Sequence, residues 1–439
     1  MRFFDREKEL TLLRNILDVS ERTAQLTMIT GRRRIGKTSL VLKAYEGTPL
    51  LYFFVSRKAE VELCNGYVAE IEEKLGIPMP GRIFHFADIF EYLMKLSEHL
   101  HFTLFIDEFQ EFYKVNKSVY SDMQRVWDLN KQESRMNLIV CGSVNSMMNK
   151  IFRNRKEPLY GRHTQMLKLS AFRPSTLKEI LREYAPGYDN EDLLALYLYT
   201  GGVAKYVEQL VDNGQYTREA MLDAMVSPNS LFIGEGKNML IEEFGRDYGI
   251  YFTILSLISQ GHNTRSDIEG ILGQEIGGYL TKLLDDYELI AKQQPLFEKS
   301  ANKNVRYAIQ DNFLSFWFRF IYKYNYMVEI EAYKKLRTII SRDYDTYSGK
   351  ILEKYFRDKM KEAELYTRIG CWYDRKGENE IDIVAADDLS KKAEIYEIKR
   401  NENNADLSLL RSKAETFLRA TGQYTDYDIS YHIVGIQEM

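Results

Sequence analysis

Three cysteines, Cys64, Cys141 and Cys371, are all that the 439 residues contain. They lie far apart and without metal-ligand spacing, which excludes a zinc site or a disulfide frame and points to a reducing compartment. No apolar run approaches about 18 uncharged residues, and the N-terminus Met1-Arg2-Phe3-Phe4-Asp5-Arg6-Glu7 has no apolar signal core. No membrane partner is therefore expected, and the default is a bacterial or archaeal cytoplasmic protein. A strongly basic balance is missing too: the net charge is −4, so any basic surface for nucleic acid must be local. What remains is an ordinary globular composition, 45% hydrophobic and 28% charged. The chain is too long for one typical core, and roughly two to four domains are expected.

One stretch organises the rest. Leu26-Thr27-Met28-Ile29-Thr30 is apolar and β-branched enough for a buried strand, and Ser39-Leu40-Val41-Leu42-Lys43-Ala44-Tyr45 continues as a helix. Between them, Gly31-Arg32-Arg33-Arg34-Ile35-Gly36-Lys37-Thr38 has the phosphate-loop pattern G-x-x-x-x-G-K-[ST] in the strand, loop, helix context that this pattern requires. Gly31 and Gly36 allow backbone conformations that a side chain blocks. Successive N–H groups from Gly31 to Ser39 can then face phosphate oxygens at the positive end of the helix. Lys37 is expected to reach the β- and γ-phosphates of ATP and Thr38 to hold Mg²⁺ through its hydroxyl.

Hydrolysis needs a second, acidic strand, and Phe102-Thr103-Leu104-Phe105-Ile106-Asp107-Glu108 supplies it. Its run reads as a central parallel strand with both carboxylates at the C-terminal edge, where open α/β sheets place their ligands. Asp107 is expected to hold Mg²⁺ through water, and Glu108 to orient or deprotonate the attacking water. Asn137 to Ser143 reads as another buried strand ending at the same edge, where Ser143 or Asn145 is either a γ-phosphate sensor or a turn residue. Arg162 lies at the start of a fifth strand, Met166 to Leu169. It is either an arginine finger acting on a neighbouring copy's nucleotide or a solvated strand start, with Arg153 and Arg155 as spare candidates.

The remaining core segments read as a helix from Phe3 to Leu17, a strand from Leu50 to Val55 and a helix from Phe84 to His99. Phe172 to Val226 is helical in pattern, broken at Gly201-Gly202, and reads as a lid over the nucleotide. Residues 252–309 have the rhythm of a winged helix: a helix to Ser259, a capped helix Thr264–Leu272, a helix Ile276–Tyr287, and two short strands as the wing. Lys282 on the third helix is accompanied by Asp285, Asp286 and Glu288, which repel phosphates, so packing against another domain is the stronger reading there. Lys292, Lys299, Lys303 and Arg306 on the wing are placed to touch a nucleic-acid backbone. Phe313, Phe316, Trp317, Phe320 and Tyr324 recur at helical spacing and read as core.

After a charged helical linker around Glu329–Arg342, Gly349 to Phe356 opens a new helix, followed by strands around Asn379–Ala385 and Ala393–Arg400. A hairpin centred on Leu389-Ser390 sets Asp382 opposite Glu397, with Cβ atoms about 5 Å apart. Period two adds Lys399 to the same face, while Ile381, Ile383, Tyr396 and Ile398 form an apolar one. Two carboxylates and a lysine over one spot suit metal-dependent phosphodiester cleavage, with Asp382 and Glu397 on Mg²⁺ or Mn²⁺ and Lys399 orienting water. A solvated hairpin face with complementary charges is the competing reading.

These segments together resemble the archaeal-type ATPases of the AAA+/STAND group, which join an ATPase to a winged helix and a restriction-endonuclease-like domain. The resemblance is carried by Phe4-Asp5-Arg6-Glu7-x-Glu9-Leu10, the Gly31–Thr38 loop, Ile106-Asp107-Glu108-Phe109-Gln110 and Cys141-Gly142-Ser143. Pro158-Leu159-Tyr160-Gly161-Arg162, Gly201-Gly202-Val203 and the run from Tyr307 to Phe318 extend it over nearly the whole chain. It implies an α/β fold with a P-loop ATPase core at 1–170, a helical lid at 171–245 and a winged helix with its aromatic helix at 246–325. A linker at 326–345 and a PD-(D/E)xK nuclease-like domain at 346–439 complete it. The family's nuclease pattern of an early helical Glu, an Asp and Glu-x-Lys is met by Glu353, Asp382, Glu397 and Lys399. Where the family has Pro after Gly-Gly-x, this chain has Ala204, which constrains that turn less. The implied function is an ATP-hydrolysing switch coupled to a DNA nuclease. The alternative is an ATP-dependent scaffold with an inactive nuclease fold that grips DNA or protein, and either form allows a homo-oligomer.

Overall fold

The computed structural model describes residues 1–79, 81–244, 248–298, 305–374 and 376–439, with the backbone only at Asn145 and Glu242. The chain divides into two compact units, Asp5–Ser170 and Met1–Phe4 with Ala171–Met439.

The unit Asp5–Ser170 is built on five strands, β1 (Gln25–Thr30), β2 (Leu50–Phe54), β3 (Phe102–Asp107), β4 (Met136–Cys141) and β5 (Gln165–Lys168). All are parallel, in the order β2-β3-β4-β1-β5. Parallel strands need crossovers, and these carry helices onto the sheet, so β3 and β4 are buried along their whole length. On one face Leu104, Ile106, Leu138 and Val140 pack with Phe86, Phe90, Leu93, Val126 and Trp127. Truncating a fully buried leucine such as Leu104 to alanine in such a core costs about 2–5 kcal/mol. The register pairs Ile29 with Cys141 and Phe54 with Asp107, so the ends of β1, β3 and β4 meet at one edge. The first helix begins at Glu7 rather than Phe3, because Asp5 and Arg6 take positive φ values of 60° and 79°.

In the second unit, Pro174–Tyr184, Asn190–Thr200, Ala204–Asp212, Arg218–Met225 and Leu231–Phe244 are helices. Asn190–Thr200 has a capping box made by Asp189 and Asp192, is buried from Leu193 to Thr200, and ends at Gly201 in the left-handed region. Three further helical segments, Tyr248–Ser259, Arg265–Leu272 and Gly277–Thr281 continued by Lys282–Asp286, precede the antiparallel strands β6 (Ile290–Gln293) and β7 (Arg306–Ile309). Phe313, Phe316, Trp317 and Phe320 are buried, as the stripe indicated, while Tyr324 is half-buried.

The C-terminal part follows a helix Tyr333–Ala363 of 31 residues. It carries a mixed sheet of β8 (Arg368–Tyr373), β9 (Glu380–Asp387), β10 (Lys392–Ile398) and β11 (Asp428–Val434), in the order β11-β10-β9-β8. Neighbours β8/β9 and β9/β10 are antiparallel, and β10/β11 is parallel through the helix Leu407–Thr421. The long helix runs straight through 345/346, where the sequence suggested the end of a linker. Leu336, Ile340, Tyr344, Ser348, Ile351, Leu352 and Tyr355 form one buried stripe along it, so no break in packing separates linker from domain.

Candidate functional site

At the end of β1 the loop turns on two glycines. Gly31 has φ 145°, and a Cβ there would lie 2.6 Å from the carbonyl oxygen of Leu169, so both conformation and space require glycine. Gly36, at φ 95°, leads into the helix Lys37–Ala44. Lys37 is buried, and its Nζ donates to the carbonyls of Gly31 and Arg32, each at 2.9 Å, bridging the loop from inside. Burial pulls the Lys37 ammonium down from its ordinary value, against Cys141, Glu108 and Asp107, which favour its charge.

Asp107 ends β3 facing that loop. Its Oδ2 accepts from Thr38 Oγ1 at 2.7 Å and from the Tyr52 hydroxyl at 3.3 Å, and its Oδ1 accepts from Cys141 Sγ at 2.8 Å. The neighbouring Glu108 takes φ 54°, which turns the chain sharply after the strand. Its Oε2 accepts from Ser143 Oγ at 2.7 Å and from Gln110 Nε2 at 2.5 Å. The Thr38 hydroxyl and Asp107 carboxylate are adjacent oxygen donors at the mouth of a phosphate-type loop, a set that fits Mg²⁺.

A second charged centre lies on the C-terminal sheet. The ladder between β10 and β9 runs to Tyr396 opposite Ile383, and Glu397 and Asp382 are the next residues on the two strands. Lys399 Nζ is 2.8 Å from Glu397 Oε1 and 3.9 Å from Asp382 Oδ2. Lys413, on the helix Leu407–Thr421, reaches both oxygens of Glu397 at 3.2 and 2.9 Å. Asp382 Oδ2 accepts from the backbone N–H of Ile398 at 2.7 Å. Burial, and then the nearby Asp382, push the Glu353 carboxyl up to about 8. Burial also raises Asp382 to about 6, against the Ile398 N–H. Glu397 goes the other way: burial would raise it, but its hydrogen bonds from Lys399 and Lys413 hold it low.

A family model for an ATPase domain predominantly from Archaea matches residues 3–210. A second, for archaeal and bacterial proteins of unknown function, matches residues 317–411. An uncharacterized protein of Methanocaldococcus jannaschii is 30% identical over 444 residues, spanning 99% of this chain and 95% of that protein. The chain belongs to the same family as this Methanocaldococcus jannaschii protein, and its residues 3–210 match the archaeal ATPase domain. Its fold is similar to that of the Walker-type ATPase of Pyrococcus abyssi, with a TM-score of 0.54 at 22% identity, over 72% of this chain and 96% of that one. The chain is accordingly an ATPase, with a mixed α/β fold that includes a parallel P-loop sheet.

Within this archaeal ATPase, the structure gathers Lys37, Thr38, Asp107, Glu108 and Ser143 at one sheet edge. The Asn145 side chain lies outside the described residues. Arg162 is not with them: it precedes β5 at the opposite edge, where Thr164 pairs with Leu26. There Arg162 forms a bidentate pair with Asp128, at 3.1 Å from Nε and 2.8 Å from Nη2, and donates to the Pro158 carbonyl at 2.7 Å. Arg153 and Arg155 are exposed. On the hairpin β6/β7, Arg306 is engaged within its own unit. Its guanidinium stacks 3.9 Å from the Tyr373 ring and pairs with Glu380 at 3.0 Å, because the hairpin lies beside the C-terminal sheet. Lys299 and Lys303 lie outside the described residues.

Sequence reasoning missed Tyr52, Cys141, Gln110 and Lys413 as members of these centres. Cys141 neighbours Asp107 because β4 lies between β1 and β3, an order that the local pattern of each strand does not encode. Lys413 had a visible signal: a lone lysine on the face of its helix that carries the buried Leu410, Ala414 and Phe417.

Proposed function

We propose that this ATPase is a nucleotide-driven switch whose C-terminal domain cleaves DNA phosphodiesters. The observation that carries the first half is the contact between Thr38 and Asp107 beside a buried lysine. On this reading the Gly31–Ser39 backbone, with Arg32, Arg33, Arg34 and Ile35 contributing N–H groups, cradles the phosphates of ATP, and Lys37 leaves its loop carbonyls for the β- and γ-phosphates. Thr38 and Asp107 hold Mg²⁺, which supplies charge neutralisation when bound. Glu108 takes a proton from water as its oxygen attacks the γ-phosphorus and the bond to ADP breaks, and Ser143 reports the γ-phosphate to Glu108. Arg162 acts on a second copy's nucleotide once an assembly forms.

In the C-terminal domain the helix, three strands, helix, strand order supports the nuclease reading. Mg²⁺ takes one or two carboxylates and completes its shell with water and phosphate. The raised Glu353 and Asp382 carboxyls are donors whose crowding a cation would relieve. On this reading Glu397 joins Asp382 after giving up a lysine, and Lys399 orients the hydrolytic water. Two contacts within the second unit support coupling of this centre to the helical segment. Arg400, next to Lys399, pairs with Glu191 on the helix Asn190–Thr200, and Tyr197 on that helix donates to Asp358 at 2.7 Å.

A DNA-gripping scaffold is favoured by one observation, the engagement of both Glu397 oxygens by lysines. Among the described residues, moreover, no group of three or more His, Cys, Asp or Glu is gathered to hold a metal. Incubation of the full chain with single-stranded, duplex and branched DNA and Mg²⁺ or Mn²⁺ separates the two. Cleavage lost in Asp382→Ala supports the nuclease. Binding without cleavage of any substrate leaves the scaffold.

A further inference from the structure

Gln110 is a buried side chain for which neither the loop pattern nor the acidic strand has a use. Its backbone is pinned, since the Tyr120 hydroxyl donates to the carbonyls of Phe109 and Gln110 at 3.2 and 3.3 Å. Its amide Nε2 donates to Glu108 Oε2, the oxygen that also accepts from Ser143. Its Oε1 is buried and has no hydrogen-bond partner among the described residues. A buried amide oxygen without a donor costs about 1–3 kcal/mol, a cost taken on to place the amide nitrogen against Glu108.

Gly142 shows that this placement is built. It does not take a positive φ, so its backbone does not demand glycine. Space does: a Cβ there would lie 2.1 Å from Gln110 Oε1 and 2.7 Å from Met148 Sδ. The amide of Gln110 fills the volume that a side chain at Gly142 would take, and Met148 closes it from the other side.

We infer that Gln110, seated against Gly142, is a positioning residue for ATP hydrolysis: with Ser143 it fixes Oε2 of Glu108, so that Glu108 Oε1 is aimed at the attacking water. The water then donates to Glu108 Oε1, and its lone pair is directed to the γ-phosphorus. The proton passes to Glu108 as the γ-phosphorus–oxygen bond breaks and its electron pair leaves with ADP. The inference rests on Glu108 as the water-activating acid.

The test compares the full chain carrying Gln110→Ala, Gly142→Ala, Glu108→Gln and Glu108→Gln/Gln110→Ala for ATP turnover and for affinity towards a non-hydrolysable ATP analogue. Gln110→Ala is expected to lower kcat about tenfold to a hundredfold through misplacement of the water, with analogue affinity within about twofold of wild type. Gly142→Ala is expected to show the same split. In the Glu108→Gln background, Gln110→Ala is expected to cost nothing further, measured by single-turnover hydrolysis, because both act on one water. Unchanged kcat in Gln110→Ala, losses that multiply in the double variant, or equal losses of affinity and turnover overturn the inference. Full turnover in Glu108→Gln alone would instead overturn the assignment of the acid beneath it.

Discussion

Lys413 holds Glu397 by both carboxylate oxygens, at 3.2 and 2.9 Å, while Lys399 takes Oε1 at 2.8 Å from the other side. Both partners of the Lys413 pair are largely buried. Replacing Lys413 by methionine keeps its stem in the core and leaves Lys399 as the remaining cation. The expected loss of stability is about 1–2 kcal/mol, below the value for a buried charge left with no partner. If pairing with Lys413 keeps Glu397 from the cation, Lys413→Met should also lower the Mg²⁺ concentration needed for half-maximal cleavage, which a titration of cleavage rate against Mg²⁺ reads.

The protonation of Glu353 sets a pH dependence. Its folded-state value of about 8 lies above the unfolded value of about 4.3, so the folded state binds the extra proton. The stability it contributes is full below about pH 4.3 and is lost as pH rises through about 8. Urea midpoints of the full chain should therefore decline across that window, and the decline should flatten in Glu353→Gln. If a cation binds this centre it competes with that proton, and Mg²⁺ should then raise the midpoint more at about pH 8.5 than at about pH 6.

Lys399 lies two residues beyond Glu397 on the same strand, and its ammonium stays charged because Glu397 and Asp382 outweigh its burial. If the C-terminal domain is the proposed nuclease, removal of this group in Lys399→Ala should reduce Mg²⁺-dependent cleavage on the order of a hundredfold or more, with DNA affinity little changed. A gel-based rate assay with a parallel binding titration reads both.

The partnership of Arg162 with Asp128 leaves its guanidinium held at the sheet edge opposite the phosphate loop. If it serves a neighbour's nucleotide, mixing inactive Arg162→Ala with inactive Glu108→Gln should restore part of the ATP turnover in mixtures shown to co-assemble. No recovery would assign Arg162 to the Pro158–Arg162 turn alone.

The phosphate loop, the acidic strand and the hairpin were legible because each is a local signal. Gly31, Gly36 and Lys37 lie within one turn of chain, and the pairing of Tyr396 with Ile383, next to Glu397 and Asp382, follows from where the 389–390 turn is centred. Tertiary neighbours were not legible. Nothing near Cys141 says that β4 inserts beside β3, and nothing near Gln110 says that a glycine 32 positions later makes room for its amide. The expected charged helical linker lies on one continuous helix, whose inner stripe, Leu336 to Phe356, is buried. The linker stretch itself contributes only Leu336, Ile340 and Tyr344 to that stripe, a pattern that reads weakly until its partner surface is known.

The most direct test measures nucleotide binding and ATP hydrolysis side by side in wild type, Lys37→Ala and Glu108→Gln. Lys37→Ala should weaken binding by about 2 kcal/mol through loss of a charge-assisted phosphate contact, whereas Glu108→Gln should bind as wild type does and not turn over. Equal hydrolysis rates in wild type and Glu108→Gln would contradict the account.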